Sequence, residues 1–550
     1  MERRAVLAFT LIILVVLGWS YLAERQRRAA PPVEPVPVES ATAPSEPAAE
    51  PIDVQPPAAA VGGSAPEEIH VETDVFDVRL TSEGGRAVSW KLKQYTTAEG
   101  APLELLPQYP SHDRLPLSIE LEDAGLTQEF NRAIYRVVRE PIEGGERISF
   151  LWSDGKGLDA RKEMVFRSGA YLVDVRLDVK VGGRERTAAL TFGPGFAAQD
   201  SVGKNSRMGT SYFAHQGVWN LAGRVGRRAA RSIEPGQTVA GDLIWVGLED
   251  QYFAALIVPG GAQARATWNT VEIGTKLPEV AVTVPGAGAQ LYVGPKQFAL
   301  LREQGHELEK VVWFSSYPLL AWFARMLLFA LLWLHDHVVA NYGAAIILAT
   351  FLLRVALFPL NQYSMVSIKK TQIQTQRLQP KIKYIRSKYK KTKDIESRNR
   401  MNQELMELYK REGVNPMGGI TGCLPMLVQF PILIGFYNML TVAIELRGAP
   451  FFGWIQDLST RDHLYVTPIV MGVAMFAQQW MAMGKVKDPA QQQQQRMMLI
   501  MPFMFTFLCT QMPSGMVLYW CVNNLLGIGQ QWIVNRHTGR FEAATAEKAG

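Results

Sequence analysis

The chain has 550 residues, 48% of them hydrophobic, and a formal net charge of +6 from 57 Lys and Arg against 51 Asp and Glu. That length exceeds one ordinary domain, and the apolar residues are gathered so unevenly that two different solvents are implied. All three cysteines, Cys423, Cys509 and Cys521, lie in the apolar C-terminal part and no Cys/His cluster has metal-ligand spacing, which excludes a disulfide scaffold for the middle of the chain and gives no reason to expect a metal or a cofactor.

Residues 5–22, AVLAFTLIILVVLGWSYL, form an apolar run of 18. A cleaved signal peptide usually has a core of only about 7–15 apolar residues, and no small-x-small cleavage pattern follows. Residues 1–28 therefore read as an uncleaved transmembrane anchor. Residues 29–67 are rich in Pro, Ala, Glu and Val, a composition that buries no core and reads as an extended spacer.

From 68 to 305 the pattern changes to alternation, as in FDVRL at 76–80 and VDVRLDVKV at 173–181. Period two with one apolar face marks half-buried antiparallel strands, and Gly-Gly and Asp-Gly turns separate them. A large antiparallel β-sandwich is the expected fold. His70, His112 and His215 read as isolated surface or core histidines, and no catalytic constellation appears.

Residues 306–340 are ambiguous. The apolar part, 319–334, would make about 24 Å of helix against a ~30 Å hydrocarbon core, so it can span or lie in the interface. Residues 341–363 hold GAAIILATFLLRVALFPLNQY, long enough to cross a bilayer yet carrying Arg354 near the middle. About 12 Å of helix separate Arg354 from Gln362, beyond snorkelling reach, so this charge is a functional-site candidate.

Residues 364–418 follow as the most basic stretch, with 14 Lys and Arg against 4 Asp and Glu between 369 and 411. Leu378, Ile382, Ile385 and Tyr389, then Met401, Leu405 and Leu408, recur at helical spacing, which predicts two amphipathic helices folded back on each other. Four more apolar segments follow at 419–446, 464–483, 497–511 and 516–535, with a short tail at 536–550. Positive loops stay cytoplasmic, so the basic hairpin is inside and the β domain outside. That parity leaves 306–340 as an interfacial amphipathic helix and gives a six-helix polytopic membrane protein with both termini in the cytoplasm.

Specific motifs then carry a resemblance. The runs FLLRVALFPLNQYSM, LQPKIKYIRSKY, NPMGGITGCLPMLVQFPILIGFYNML, AIELRGAPFFGWIQDLS and MPSGMVLYWCVNNLLGIGQQ occur in that order. The chain resembles the YidC family of membrane protein insertases (the YidC/Oxa/Alb family), in the Gram-negative form that has a large periplasmic domain. The resemblance implies an inner-membrane insertase whose hydrophilic groove opens to the cytoplasm and to lipid and is closed on the outer side. It places Arg354 at the groove arginine, Thr350 one turn before it, and Tyr519 and Trp520 at paired aromatics that contact substrate. Gln429, Asn438 and Gln479 are further polar candidates for wetting the groove. Implied partners are nascent membrane proteins, the Sec translocon, the ribosome (through the basic hairpin and the C-terminal tail) and anionic lipids.

A secondary transporter of a small anion would use a buried arginine too, but internal repeats are lacking. No GxxxxGK[ST] loop and no HExxH, Ser/Lys or paired-Asp set at membrane depth points to an ATPase or a protease.

Overall fold

Alternation in the middle of the chain becomes antiparallel pairing, and helical spacing after it becomes a set of long helices. The computed structural model describes residues 60–97, 99–108, 114–195, 216–261, 264–273, 275–284, 288–389, 395–412, 424–483 and 489–547. The expected anchor, most of the spacer, His112, His215 and Cys423 lie outside them. Two units result, one ending at Val312 and the other beginning at Trp313.

The first unit holds three antiparallel sheets. The largest has ten strands, ordered Arg224–Ala229, Gln216–Leu221, Leu243–Glu249, Phe253–Pro259, Ala289–Pro295, Leu172–Val181, Leu158–Arg167, Gly145–Ser153 and Arg136–Ile142, with Arg184–Arg186 added beside Leu172–Val181. Gly182 and Gly183 close that last hairpin with φ of 61° and 75°, the left-handed pair that a two-residue turn of matching twist requires. A five-stranded sheet contains Ala264–Ile273 and Thr275–Val284, and a four-stranded one runs from Glu68–Glu72 to Pro102–Glu104.

Strand register shows how these layers stack. Val173, Leu291, Ile257, Val246 and Trp219 are paired in turn across the large sheet and so share one face. Trp219 at one end meets Trp268 of the five-stranded sheet. On the same side Phe166 meets Trp90 of the four-stranded sheet. Both small sheets thus cover one face of the large one, a β-rich layered domain of the kind the alternation predicts. On the opposite face Arg147, Val165, Asp174, Gln290 and Val258 form the next paired row, the floor of a cleft of about 840 Å³.

Buried charge fixes the end of this unit. Glu249 accepts from Arg227 and Lys296 at 2.8 Å each, and Arg227 also donates to the Val311 carbonyl at 2.7 Å. The chain leaving the domain is thereby tied to the sheet. Burial raises the Glu249 carboxyl, but the two cations outweigh it and hold it below the ordinary carboxylate range. Lys162, fully buried, instead donates to three backbone carbonyls, those of Gly84, Gly85 and Leu117, and burial drives its ammonium well below the usual lysine range.

In the second unit we number the helices α1 to α7. They are α1 (Pro318–His337), α2 (Tyr342–Lys388), α3 (Ile395–Arg411), α4 (Leu424–Val442), α5 (Val466–Ala482), α6 (Pro489–Cys509) and α7 (Ser514–Glu547). α1 is longer than its apolar core suggested, since Pro318 opens it at a position needing no N–H and His335–His337 stay helical. Twenty residues reach about 30 Å, so shortness no longer argues against a span. α1 and the Tyr342–Ser367 part of α2 are each long and apolar enough to cross a membrane, and Pro431–Val442, Val466–Ala482 and Met497–Cys509 are shorter apolar helices.

α2 runs unbroken for 47 residues from the apolar segment into the basic stretch. There Leu378 and Ile382 pack against Leu405, Leu408 and Tyr409 of α3, the predicted hairpin seam. The glutamine run at 491–495 lies inside α6, and α7 continues into the expected tail as far as Glu547.

Replacing Glu249 with Gln should leave the buried Lys296 and the half-buried Arg227 uncompensated and lower stability by about 3–5 kcal/mol, read by thermal unfolding. A depressed carboxylate contributes stability that is present above its unfolded pKa and is lost as pH falls through the folded one. The Glu249 share of stability should therefore be constant above the ordinary glutamate range and be lost on acidification through it and below, and the Gln variant should lack that share of the decline.

Candidate functional site

Helical spacing puts Thr350, Arg354, Asn361 and Ser364 on one face of α2. Asn523, Gly527, Gln530 and Val534 likewise share a face of α7. α7 packs against both α2 and α5, so the two faces form a polar seam inside an otherwise apolar bundle. Gln530 Nε2 reaches the Phe358 carbonyl at 3.5 Å, and Asn535 donates to the Met481 carbonyl of α5 at 3.1 Å.

Arg354 is the charged member of this seam and is half-buried. Its Nη2 donates to the Asn523 carbonyl at 3.0 Å, while its buried Nε has no hydrogen-bond partner among the described residues. No carboxylate there forms an ion pair with it. A backbone dipole offsets only part of a full charge, so the guanidinium keeps donors and positive potential to spare. Gly527 makes the space: a Cβ there would lie 2.8 Å from Arg354 Nη2 and 2.4 Å from Gln478 Nε2.

The other sequence candidates separate by role. Thr350 is sealed, with its hydroxyl donating to the Ile346 carbonyl at 2.7 Å. Tyr519 is buried and stacks on Phe436 of α4, with ring centroids 4.2 Å apart. Trp520 is buried and leans on Phe505 of α6 at 4.7 Å. Both aromatics therefore hold neighbouring helices in this state. Asn438 and Gln479 are half-buried, and Gln429 sits on α4 in a stretch whose side chains are outside the described residues. Gln478, rather than Gln479, borders Arg354. One residue is 100° of helix, and the sequence does not say which of the two faces inward.

One end of the bundle is capped by the segment between α4 and α5. Ile444, Leu446, Ile455 and Leu458 are buried in it. Asp462, only 4% exposed, ties it together. Its carboxylate accepts from the Thr467 amide at 2.8 Å, the Thr467 hydroxyl at 2.7 Å, the Leu464 amide at 2.9 Å and the Trp454 indole at 3.0 Å. Burial raises this carboxyl and the hydrogen bonds outweigh it, leaving it below the ordinary range. Asn341 at the head of α2 donates to the Pro450 carbonyl at 3.0 Å, and the Ser514 amide at the head of α7 donates to Thr460 at 2.7 Å. Three helix ends thus meet one ordered plug.

The outward sides of α5 and α6 are greasy. Val473, Trp480, Ile500, Phe503, Met504 and Phe507 are exposed, a surface suited to lipid rather than water. No group of three His, Cys, Asp or Glu residues able to hold a metal occurs among the described residues. The cleft of the β unit is floored by ion pairs, Arg147 with Glu163 at 3.0 Å and Arg167 with Asp174 at 2.6 Å.

Comparison with known proteins places the chain beside named families. Residues 333–541 match the family described as 60Kd inner membrane protein, and residues 68–330 match the YidC periplasmic domain. The membrane protein insertase YidC of Geobacter metallireducens is 32% identical across 99% of this chain and 100% of its own length. That of Syntrophus aciditrophicus is 34% identical across 90% of this chain and 88% of its own. Among solved structures, an active YidC insertase with its first transmembrane domain resolved aligns over 96% of this chain and 99% of its own at 18% identity, with a TM-score of 0.34.

Substituting Asn for Asp462 removes the charge that gathers four donors. Hydrogen bonds to charged groups contribute about 1.5–3 kcal/mol each in favourable cases, and Asn retains one acceptor oxygen. A loss of about 2 kcal/mol is expected, seen as a lower unfolding temperature of the purified protein in detergent.

Proposed function

The chain belongs to the YidC family of membrane protein insertases, and we propose that it inserts proteins through the polar seam around Arg354. The observation that carries this reading is an arginine at membrane depth with one backbone carbonyl as its partner and no carboxylate among the described residues. Such a group is stable only beside water or a visiting anion.

In this reading the seam opens on its cytoplasmic and lipid sides as a hydrated groove, and the Asp462 plug closes its outer end. An apolar client segment gains about 0.3–0.6 kcal/mol per residue at the bilayer centre. Its acidic tail opposes entry by about 2.5–3.5 kcal/mol for each Asp on the same scale. A groove that reaches partway shortens the dry path, and Arg354 lends a transient counter-charge. The exposed apolar faces of α5 and α6, with Met501 and Met504 among their residues, offer an adaptable surface along which the client leaves for lipid.

The topology proposed is six spans in the bacterial inner membrane, both termini cytoplasmic and the β unit periplasmic. The basic α2–α3 hairpin supports an inside placement, and α1 is then interfacial by parity. Its Ala324, Leu327, Leu328, Leu331 and Leu334 are buried while Trp322, Met326, Phe329 and Trp333 are exposed, which supports a helix lying at the membrane surface with one side on the bundle. Nascent membrane proteins are the clients, with anionic lipids, the ribosome and the Sec translocon as partners of the basic surface and the bundle.

The test is insertion of a short-tailed single-span client into vesicles holding the purified full chain. Arg354→Ala should slow clients with acidic tails by roughly tenfold, the order set by one charged contact of about 1.5–3 kcal/mol, and leave neutral-tailed clients near wild type. Arg354→Lys should keep most of the activity, since charge rather than fork geometry is in use. Equal loss for both clients with Arg354→Ala would contradict the reading.

A further inference from the structure

The middle of α7 turns an open stripe away from the bundle. Leu525, Gly529, Trp532 and Arg536 recur at four, three and four residues, so they share one helix face, and all four are exposed. A Cβ on Gly529 would meet no atom within 4 Å, so the stripe is hollow between the leucine and the tryptophan. The Arg536 guanidinium lies over the Trp532 ring, 3.8 Å from its centroid, which fixes the plane of its fork. Among the described residues its N–H groups are engaged by no hydrogen bond and no ion pair. The opposite side of the helix is held in place. Gln530 Nε2 reaches the Phe358 carbonyl at 3.5 Å, and Asn535 donates to the Met481 carbonyl of α5 at 3.1 Å.

From Leu525 to Arg536 the helix rises about 16 Å, close to half of a ~30 Å hydrocarbon core. The stripe thus runs from a planar cation with unused donors, past an indole, into an apolar hollow one leaflet deep. A glycerophospholipid carries its parts in that order: a phosphate, an interfacial backbone and an acyl chain. We propose that this face of α7 binds one phospholipid, its phosphate on the Arg536 fork and an acyl chain laid over Gly529 and Leu525. Two phosphate oxygens match the parallel N–H pair of a guanidinium. Trp532 holds the fork flat at the depth where indoles settle in a bilayer, and the Gly529 hollow admits the chain. An arginine without a counter-ion favours a headgroup of net negative charge, since a zwitterionic one carries its own cation beside the phosphate. RNA offers the same phosphates, but the apolar stripe below the arginine has nothing to give it. The proposal rests on the six-span reading above only for the leaflet, which that reading makes the cytoplasmic one.

The full-length protein in a neutral detergent is titrated with phosphatidylglycerol, and lipid retention is read by native mass spectrometry. Arg536→Gln should weaken the tightest lipid site about tenfold, the order expected for one charge-assisted contact. Gly529→Leu fills the hollow without touching the charge and should weaken that site about fivefold, the order of several lost acyl contacts. Its new side chain meets only open space, and leucine is a better helix former than glycine, so the unfolding temperature without lipid should not fall. Wild-type affinity in either variant would overturn the site. Displacement of the lipid from wild type by equimolar inorganic phosphate, or by a short RNA, would reduce it to a bare anion contact and overturn it too. The leaflet is tested apart, with a Cys at 536 in protein freed of its natural cysteines. Modification by an impermeant maleimide from the periplasmic side alone would contradict the six-span reading and leave the detergent result standing.

Discussion

A full positive charge within a helix long and apolar enough to cross a membrane is the constraint to which the helical unit is built. On insertion scales an arginine at the centre of a membrane helix is unfavourable by about 2.5–3.5 kcal/mol, and a single carbonyl does not offset that. The rest of the bundle answers this charge. α7 brings the Asn523 carbonyl to 3.0 Å and leaves a glycine where a side chain would collide with the guanidinium. α2 and α7 meet along faces that carry Thr350, Arg354, Asn361, Ser364, Asn523 and Gln530.

At one end of the bundle three helix termini converge on an ordered segment whose buried Asp462 gathers four donors, a closure made of directional bonds that does not slide. The exposed residues of α5, and those of α6 from Met497 onward, are apolar and thermodynamically indifferent to acyl chains. Elsewhere in this unit the helices approach through small residues. A Cβ on Gly435 would meet Phe323 at 2.5 Å, and one on Gly472 would meet Thr506 at 2.0 Å, the close packing that lipid-embedded helices use in place of a hydrophobic driving force. The β unit solves a different problem with different means. Its large sheet buries one face under two smaller sheets, and its Glu249 cluster fixes the segment that leaves for the membrane.

Much of this was legible in the sequence because periodicity and charge are local. Alternation at 173–181 gave the strand, Leu378 and Ile382 gave the hairpin seam, and Arg354 announced itself by being costly where it stands. What could not be read was helical phase between neighbours. Gln478 rather than Gln479 borders Arg354, and only the α5–α7 contact selects between them. Thr350 looked like groove lining, but its hydroxyl is satisfied by its own helix. Tyr519 and Trp520 stood as paired aromatics that contact substrate, and each finds a ring on another helix, fifteen positions away for Trp520 and more than eighty for Tyr519. The ends of α1 and α2 were misjudged for a simpler reason: hydropathy marks where a helix is apolar, whereas hydrogen bonding continues through polar residues that lack a breaker.

The central claim is that the side chain at position 354 faces water within the membrane. Its most direct test uses protein freed of its three natural cysteines, with Cys placed at 354 or at the neighbouring exposed apolar position 355, in native membranes treated with a water-soluble, membrane-impermeant maleimide from the cytoplasmic side. The account predicts rapid modification at 354 and none at 355. Equal protection of the two positions would mean that no hydrated hollow surrounds the arginine, and would contradict it.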